Sequence, residues 1–372
     1  MSDSKRVDVG AEPIPGRADL VMEGGGVKGI GLLGAAVELA RQGWTFPRVA
    51  GTSAGAIVGS LVASCVQTGR DVASLVEVME RLDYHKFRDS AFLGRFGVFG
   101  KGVDLLVHDG VYQGEYLVEW LETELARIGV RTFGDLRIDD DPDTSLAPHE
   151  RYRLVVMASD VSRGQLVRLP WDYQHYGMVP DEQKVADAVR ASMSVPFFFQ
   201  PATMKVSPPA DSGKVTLVDG GMLSNFPIET FDRSDGRPPR WPTFGLKLSA
   251  RRAARQVSHP VDGPFDLAVA CLRTLLDAHD AYHLDDLRVT ERTVFIDTAQ
   301  VSSLDFDIDA EQQRLLYQNG RAAAESFLTT WPPAPPAPPV LPTPLAEPPG
   351  EPPQLTARVE PVGNTTPEQE SV

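Results

Sequence analysis

Apolar residues fall along this chain in short runs that alternate between strand-like and helix-like spacing. Ala18-Asp19-Leu20-Val21-Met22 is a compact, mostly apolar run ending at a glycine cluster, and apolar positions then recur at helical spacing from Ile30 to Gln42. A second pair follows: Phe46-Pro47-Arg48-Val49-Ala50 reads as a strand and Ala54 to Thr68 as a helix. Further on, the spacing predicts helices over 73–82 and 114–127, the second burying Tyr116, Leu117, Trp120, Leu121 and Leu125. Strands are expected at 152–159, 215–219, 243–248 and 293–296, with helices at 184–193 and 309–331. Strands alternating with helices predict an α/β fold of three layers, a mostly parallel central sheet with helices on both faces. Loops at the C-terminal ends of the strands are then expected to meet along one edge.

Composition sets the boundaries of that domain. Residues 1–15 are polar and charged, with no apolar stretch of the kind a secretory signal needs. Residues 16–331 carry the alternating pattern. From Pro332 to Pro353 about half the chain is proline, so 332–372 is predicted to be an extended, disordered tail without which the domain folds. The longest apolar run, Val49 to Val66, contains a turn and several small polar residues, and fits a buried helix on a sheet better than a membrane span. Cys65 lies in that helix as an expected buried thiol, and the only other cysteine is Cys271.

Charge narrows the partners. The 51 acidic and 36 basic residues give a net charge of −15, which argues against nucleic acid as a partner and against tight constitutive binding to anionic membranes. The stretch from Phe87 to Tyr116 interleaves apolar residues with glycines and is the candidate for a lid that meets lipid; a compact loop on the core fits it equally. The expected location is cytoplasmic, with peripheral, transient contact at a membrane.

The chemistry concentrates in three segments. Gly51-Thr52-Ser53-Ala54-Gly55 is a G-x-S-x-G turn between the second strand and second helix, a geometry that pushes a serine out of the backbone at a helix N-terminus. Upstream, Gly24-Gly25-Gly26-Val27-Lys28-Gly29 follows the first strand, and clustered glycines let backbone N–H groups converge on an anion. Gly24, Gly26 and Gly29 also fit the dinucleotide fingerprint G-x-G-x-x-G, but the next strand runs into the serine turn instead of an acidic ribose ligand. A phosphate loop fits less well, because no Gly-Lys-Ser/Thr closes the cluster. Downstream, a β-rich run ends in Asp219-Gly220-Gly221, a carboxylate at a strand end that either serves as a base or is a simple turn.

In order and spacing the three segments together resemble the patatin-like phospholipases. The segments Ala191-Ser192-Met193-Ser194-Val195-Pro196-Phe197 and Asn225-Phe226-Pro227 resemble the family as well, and the likeness spans roughly 16–330. It implies the corresponding fold and a Ser–Asp dyad, with Ser53 as nucleophile and Asp219 as base. It further implies an oxyanion hole from Gly24, Gly25 and Gly26, in which Gly25 and Gly26 donate and Gly24 shapes the loop. Lys28, Gly29, Gly51, Gly55, Gly220 and Gly221 would support these motifs, with Lys28 either on the loop, at a lipid phosphate or in solvent. Glu23 stands where the family often has aspartate and is expected to be a spectator. The implied activity is hydrolysis of lipid esters, most often phospholipids, without metal or organic cofactor.

Other arrangements remain open at this level. A catalytic triad would need a histidine after Asp219, and His259, His279 and His283 are the candidates. His279 and His283 are also four apart beside Asp280, Asp285 and Asp286, a spacing that could hold a metal but that reads more simply as a polar helix face. The same domain could serve as an effector whose lipase waits for a small-molecule activator, as in cyclic-nucleotide antiphage signalling, or as a non-catalytic lipid-binding module.

Overall fold

The computed structural model of the chain describes residues 16–82, 111–138, 146–196, 198–206, 213–233, 241–248, 287–298 and 307–331, with a few scattered positions between 239 and 303. The N-terminal 15 residues, most of the lid candidate, the acidic loop at 139–143, the tail, and five of the seven histidines (His85, His108, His259, His279 and His283) lie outside them. Among the described residues, no helix is long and apolar enough to cross a membrane.

The elements in chain order are β1 (Asp19–Met22), α1 (Gly29–Arg41), β2 (Val49–Thr52), α2 (Ala54–Thr68), α3 (Leu75–Glu80), α4 (Val111–Ile128), β3 (Leu154–Asp160), β4 (Gln165–Leu169), α5 (Val185–Ser192), β5 (Ala202–Lys205), β6 (Lys214–Asp219), α6 (Gly221–Ser224), β7 (Thr243–Lys247), α7 (Leu287–Glu291), β8 (Thr293–Phe295) and α8 (Ala310–Thr330). All eight strands join one sheet. Its centre is a parallel run in the order β3-β2-β1-β7-β8. Every residue of β1, β2, β3 and β7 is buried although alternate side chains point to opposite faces, so both faces of the sheet are covered.

The other end of the sheet is antiparallel, which the alternating pattern did not indicate. β4 pairs with Val156–Asp160 of β3, and β6 pairs with Ala158–Asp160 of the same strand. β2 meanwhile pairs with Leu154–Met157. A strand has only two hydrogen-bonding edges, and β4 overlaps both of the others, so β2 and β6 must share the edge that β4 leaves free. They approach from opposite directions and meet head to head, Thr52 opposite Met157 and Asp219 opposite Ala158. Asp219 therefore reaches the serine turn by running antiparallel into it, not from a neighbouring parallel strand end.

The helices close the core. α2 is buried around its whole circumference from Ala54 to Cys65, which is why its sequence there holds only apolar and small residues, with the Ser60 and Ser64 hydroxyls donating to carbonyls of the same helix. α8 starts at an Asp309–Gln312 capping box and lies along α1, where buried Glu38 accepts from Arg41 at 2.6 Å and Arg321 at 2.9 Å. At its far end α8 delivers Phe327 and Trp331 to Phe244 of β7, with ring centroids 5.0 and 4.9 Å away; Trp44 meets the same ring at 4.7 Å. Phe244 is fully buried at the centre of this cluster. Phe244→Ala is expected to lower the unfolding free energy by about 3–5 kcal/mol, the usual loss for a buried aromatic ring. The shift in denaturant midpoint at constant slope measures it.

Candidate active site

Ser53 is the residue between β2 and α2, and its backbone is unusual. With φ 53° and ψ −121°, it alone among the described non-glycine residues has a positive φ. Such strain persists only where the surroundings enforce it. Here the next helix enters so close to β1 that a Cβ on Gly55 would lie 2.4 Å from the Met22 carbonyl oxygen and 2.7 Å from that of Glu23. The Ser53 N–H donates to Ser192 Oγ at 2.8 Å, and Thr52 Oγ1 donates to the Ser224 carbonyl at 3.0 Å. The turn is thus fixed on both sides of the serine, whose hydroxyl sits 3.5 Å from Met193 Sδ.

The glycine loop faces the same point. A Cβ on Gly24 would come within 3.2 Å of Ser53 Cβ. The Gly24 N–H donates to the Asn225 carbonyl at 3.0 Å and so has no proton left for an oxyanion. Val27 N–H is likewise taken by the Ser303 carbonyl, at 3.2 Å. Gly25 and Gly26 remain: among the described residues neither N–H has a hydrogen-bond partner. Gly26 turns the loop with φ +56°, and its missing side chain admits the Ser303 carbonyl, which would lie 1.9 Å from a Cβ. Lys28 is half-buried at the start of α1.

Asp219 closes the site. Its N–H donates to the Ser194 carbonyl at 2.9 Å, its Oδ1 accepts from the Gly221 N–H at 2.7 Å, and its Oδ2 is buried with no hydrogen-bond partner. Burial raises its pKa to about 6, against smaller lowering contributions from the Gly221 N–H and the Ser53 hydroxyl. The serine is thus near enough to act on the carboxyl, but the contact falls short of hydrogen-bond geometry. Gly220 presses on β3, where a Cβ would lie 2.4 Å from the Met157 carbonyl.

Two features of the site were not anticipated from the sequence. The segment 190–194 holds both candidate residues, since Ser192 takes the Ser53 N–H and Ser194 takes that of Asp219. Half-buried Arg190 braces it, donating to Ser194 Oγ at 2.6 Å and to the Gln200 carbonyl at 2.8 Å. A small-residue turn after a helix was visible; its two partners, far away in sequence, were not. The second is Glu23, expected to be a spectator, which is buried and ion-paired to buried Lys247. Of the described histidines, His149 lies beside Glu150 and His175 beside Asp172 near the surface. Among the described residues no cluster of His, Cys, Asp and Glu could hold a metal, and His279 and His283 lie outside them.

A serine turn, a glycine loop and a buried aspartate meet on this sheet, and comparison with known proteins gives the family of the chain. The family model for patatin-like phospholipase matches residues 20–232. The chain belongs to the patatin-like phospholipase family, a family of lipid hydrolases. The uncharacterised protein YqhO of Bacillus subtilis is 35% identical over 313 residues, covering 84% of this chain and 98% of that protein. An uncharacterised NTE family protein of Mycobacterium tuberculosis is 29% identical over 221 residues, 58% of this chain but only 28% of that protein. Among solved structures, VipD from Legionella pneumophila aligns over 86% of this chain and 68% of its own at 18% identity and a TM-score of 0.47. The type III effector protein ExoU aligns over 86% of this chain and 54% of its own at 18% identity and a TM-score of 0.42.

The raised pKa of Asp219 has a testable sign. A carboxyl whose folded pKa lies near 6 instead of 3.8 favours folding fully below about pH 4, and that contribution is lost as pH rises to about 6. At pH 8 the buried charge then costs about 3 kcal/mol. Asp219→Asn, which removes the charge, is expected to raise the melting temperature at pH 8 and to leave it nearly unchanged at pH 4. Equal shifts at both pH values would contradict the desolvated carboxylate.

Proposed function

We propose that this protein is a serine acyl hydrolase of phospholipase A type, cleaving fatty-acyl esters of phospholipids through a Ser53–Asp219 dyad. The observation that carries the reading is the buried, unpartnered Oδ2 of Asp219 beside a serine held at a strained strand-to-helix turn. A carboxylate oxygen left without a donor in a buried site is an uncommon expense in a fold. It is explained by a proton that arrives during the reaction.

In this mechanism the Ser53 hydroxyl turns from Met193 toward Asp219, Oγ attacks the ester carbonyl, and the proton passes to Oδ2. The carbonyl oxygen becomes an oxyanion that accepts from the Gly25 and Gly26 N–H groups, with the N-terminus of α2 adding favourable potential. Collapse breaks the ester C–O bond, and Asp219 returns the proton to the departing lysolipid oxygen. Water then attacks the acyl-enzyme and gives a proton to Asp219. The fatty acid leaves as Ser53 takes that proton back. Every step uses groups of this chain and water.

The test is fatty-acid release from mixed phospholipid vesicles by the native chain, Ser53→Ala and Asp219→Ala. Release by the native chain and its loss in both folded variants is the expected result, together with a kcat/KM that falls as pH drops through about 6. Ser53→Ala retaining full activity would refute the mechanism. A pH profile unchanged down to pH 4.5 would remove Asp219 from the role of base.

A further inference from the structure

The glycine loop is anchored by a side chain that replaces its own backbone. β1 and β7 run parallel, with Met22 opposite Leu246, and the Glu23 N–H continues the ladder by donating to the Leu246 carbonyl at 3.0 Å. In an unbroken parallel ladder the next bond would run from the Leu248 N–H to the Glu23 carbonyl. The Glu23 carbonyl oxygen lies beside Gly55 of the serine turn, 2.7 Å from where a Cβ would stand. The Leu248 N–H goes to Glu23 Oε2, and the other carboxylate oxygen pairs with Lys247 Nζ. The chain can therefore leave the sheet at Glu23 and enter the loop while β7 keeps all its bonds.

The pair is thoroughly enclosed. Glu23 is 5% and Lys247 2% exposed, and Nζ lies 5.0 Å over the Phe226 ring. Removing two charges from water is costly, and a buried ion pair is rarely the most stable filling for such a space; its best-attested use is to fix one geometry among several. What this pair fixes is the departure point of Gly24, Gly25 and Gly26. From the far side the Asn225 carbonyl holds Gly24, and Leu248, the residue bonded to Glu23, packs within 2.4 Å of where a Gly25 Cβ would stand.

We propose that Glu23 and Lys247 are positioning residues for the oxyanion hole, holding the Gly25 and Gly26 N–H groups on the tetrahedral intermediate. The proposal rests on the acyl-hydrolase reading above. Removing either charge alone would strand the other and could unfold the chain, so the informative variant is the double Glu23→Met/Lys247→Met, which fills the space with apolar atoms. Glu23→Gln/Lys247→Met, which keeps an acceptor for the Leu248 N–H and strands no charge, is the conservative control.

The experiment compares native, double and control chains by melting temperature, by kcat and KM on phospholipid vesicles, and by the labelling rate of Ser53 with a fluorophosphonate. Expected is a folded double variant whose kcat falls on the order of 10²-fold with KM within about twofold, matching the loss of one oxyanion donor. Labelling should slow in parallel, because the phosphoryl oxygen needs the same donors, and Glu23→Gln/Lys247→Met should recover much of both rates. A folded double variant with kcat and labelling within threefold of native overturns the positioning role while the dyad stands. A native chain that neither releases fatty acid nor is labelled at Ser53 overturns the hydrolase reading and this proposal with it.

Discussion

The site depends on a shared edge. β3 is longer than β2, and the part of its edge that β2 leaves unpaired is taken by β6 running the other way. Two strands colliding on one edge must each end there, and the residues at their ends are pressed together. Ser53 follows the end of one and Asp219 is the end of the other. Backbone hydrogen bonds of the central sheet bring these two groups together, and the 190–194 segment holds each of them there. The antiparallel wing of β4, β6 and β5 is thus the part of the fold on which the proposed chemistry depends, although it is the part least like a regular doubly wound sheet.

Around this meeting point the structure is locally unfavourable in several ways. Ser53 occupies a backbone region that L-residues avoid, Asp219 carries a buried carboxylate with one oxygen unsatisfied, and Glu23 and Lys247 bury opposite charges. Each runs against what stability alone would select, and all lie within one cluster. The surrounding scaffold offsets them with fully buried strands, an α2 buried on all sides up to Cys65 and the aromatic cluster on Phe244. Concentration of strain and uncompensated polarity in one place is the expected mark of a functional site in a stable fold.

Much of this was legible in the residues. The helix expected at 54–68 is α2 to the residue, because an apolar run behind a serine and two glycines has few other ways to fold. The strand expected at 46–50 proved to be Val49–Thr52: Pro47 lacks an N–H for the ladder, and Gly51 and Thr52, which look like turn residues, still pair with β3. β4 and β5 escaped notice since each is short, carries charged or polar residues, and has meaning only through its partners. The same limit hid Ser192 and the Glu23–Lys247 pair. Their contacts span 139 and 224 residues, and no local pattern records such a pairing. The Gly24 N–H is committed over a similar span, to the Asn225 carbonyl 201 residues away.

These long spans bear on how the protein is made. During synthesis the serine turn emerges early, while Ser192, Asp219, Lys247 and Ser303 follow in that order, and each is needed to fix a different part of the site. Contacts so distant in sequence form late, once the loops between them can close. A ribosome-bound or truncated chain therefore carries the nucleophile without the base, and then the base without a braced glycine loop. For a protein proposed to cut phospholipids, this order of assembly is a safeguard written into the topology: the proposed site is complete only once Lys247 and Ser303 have joined it.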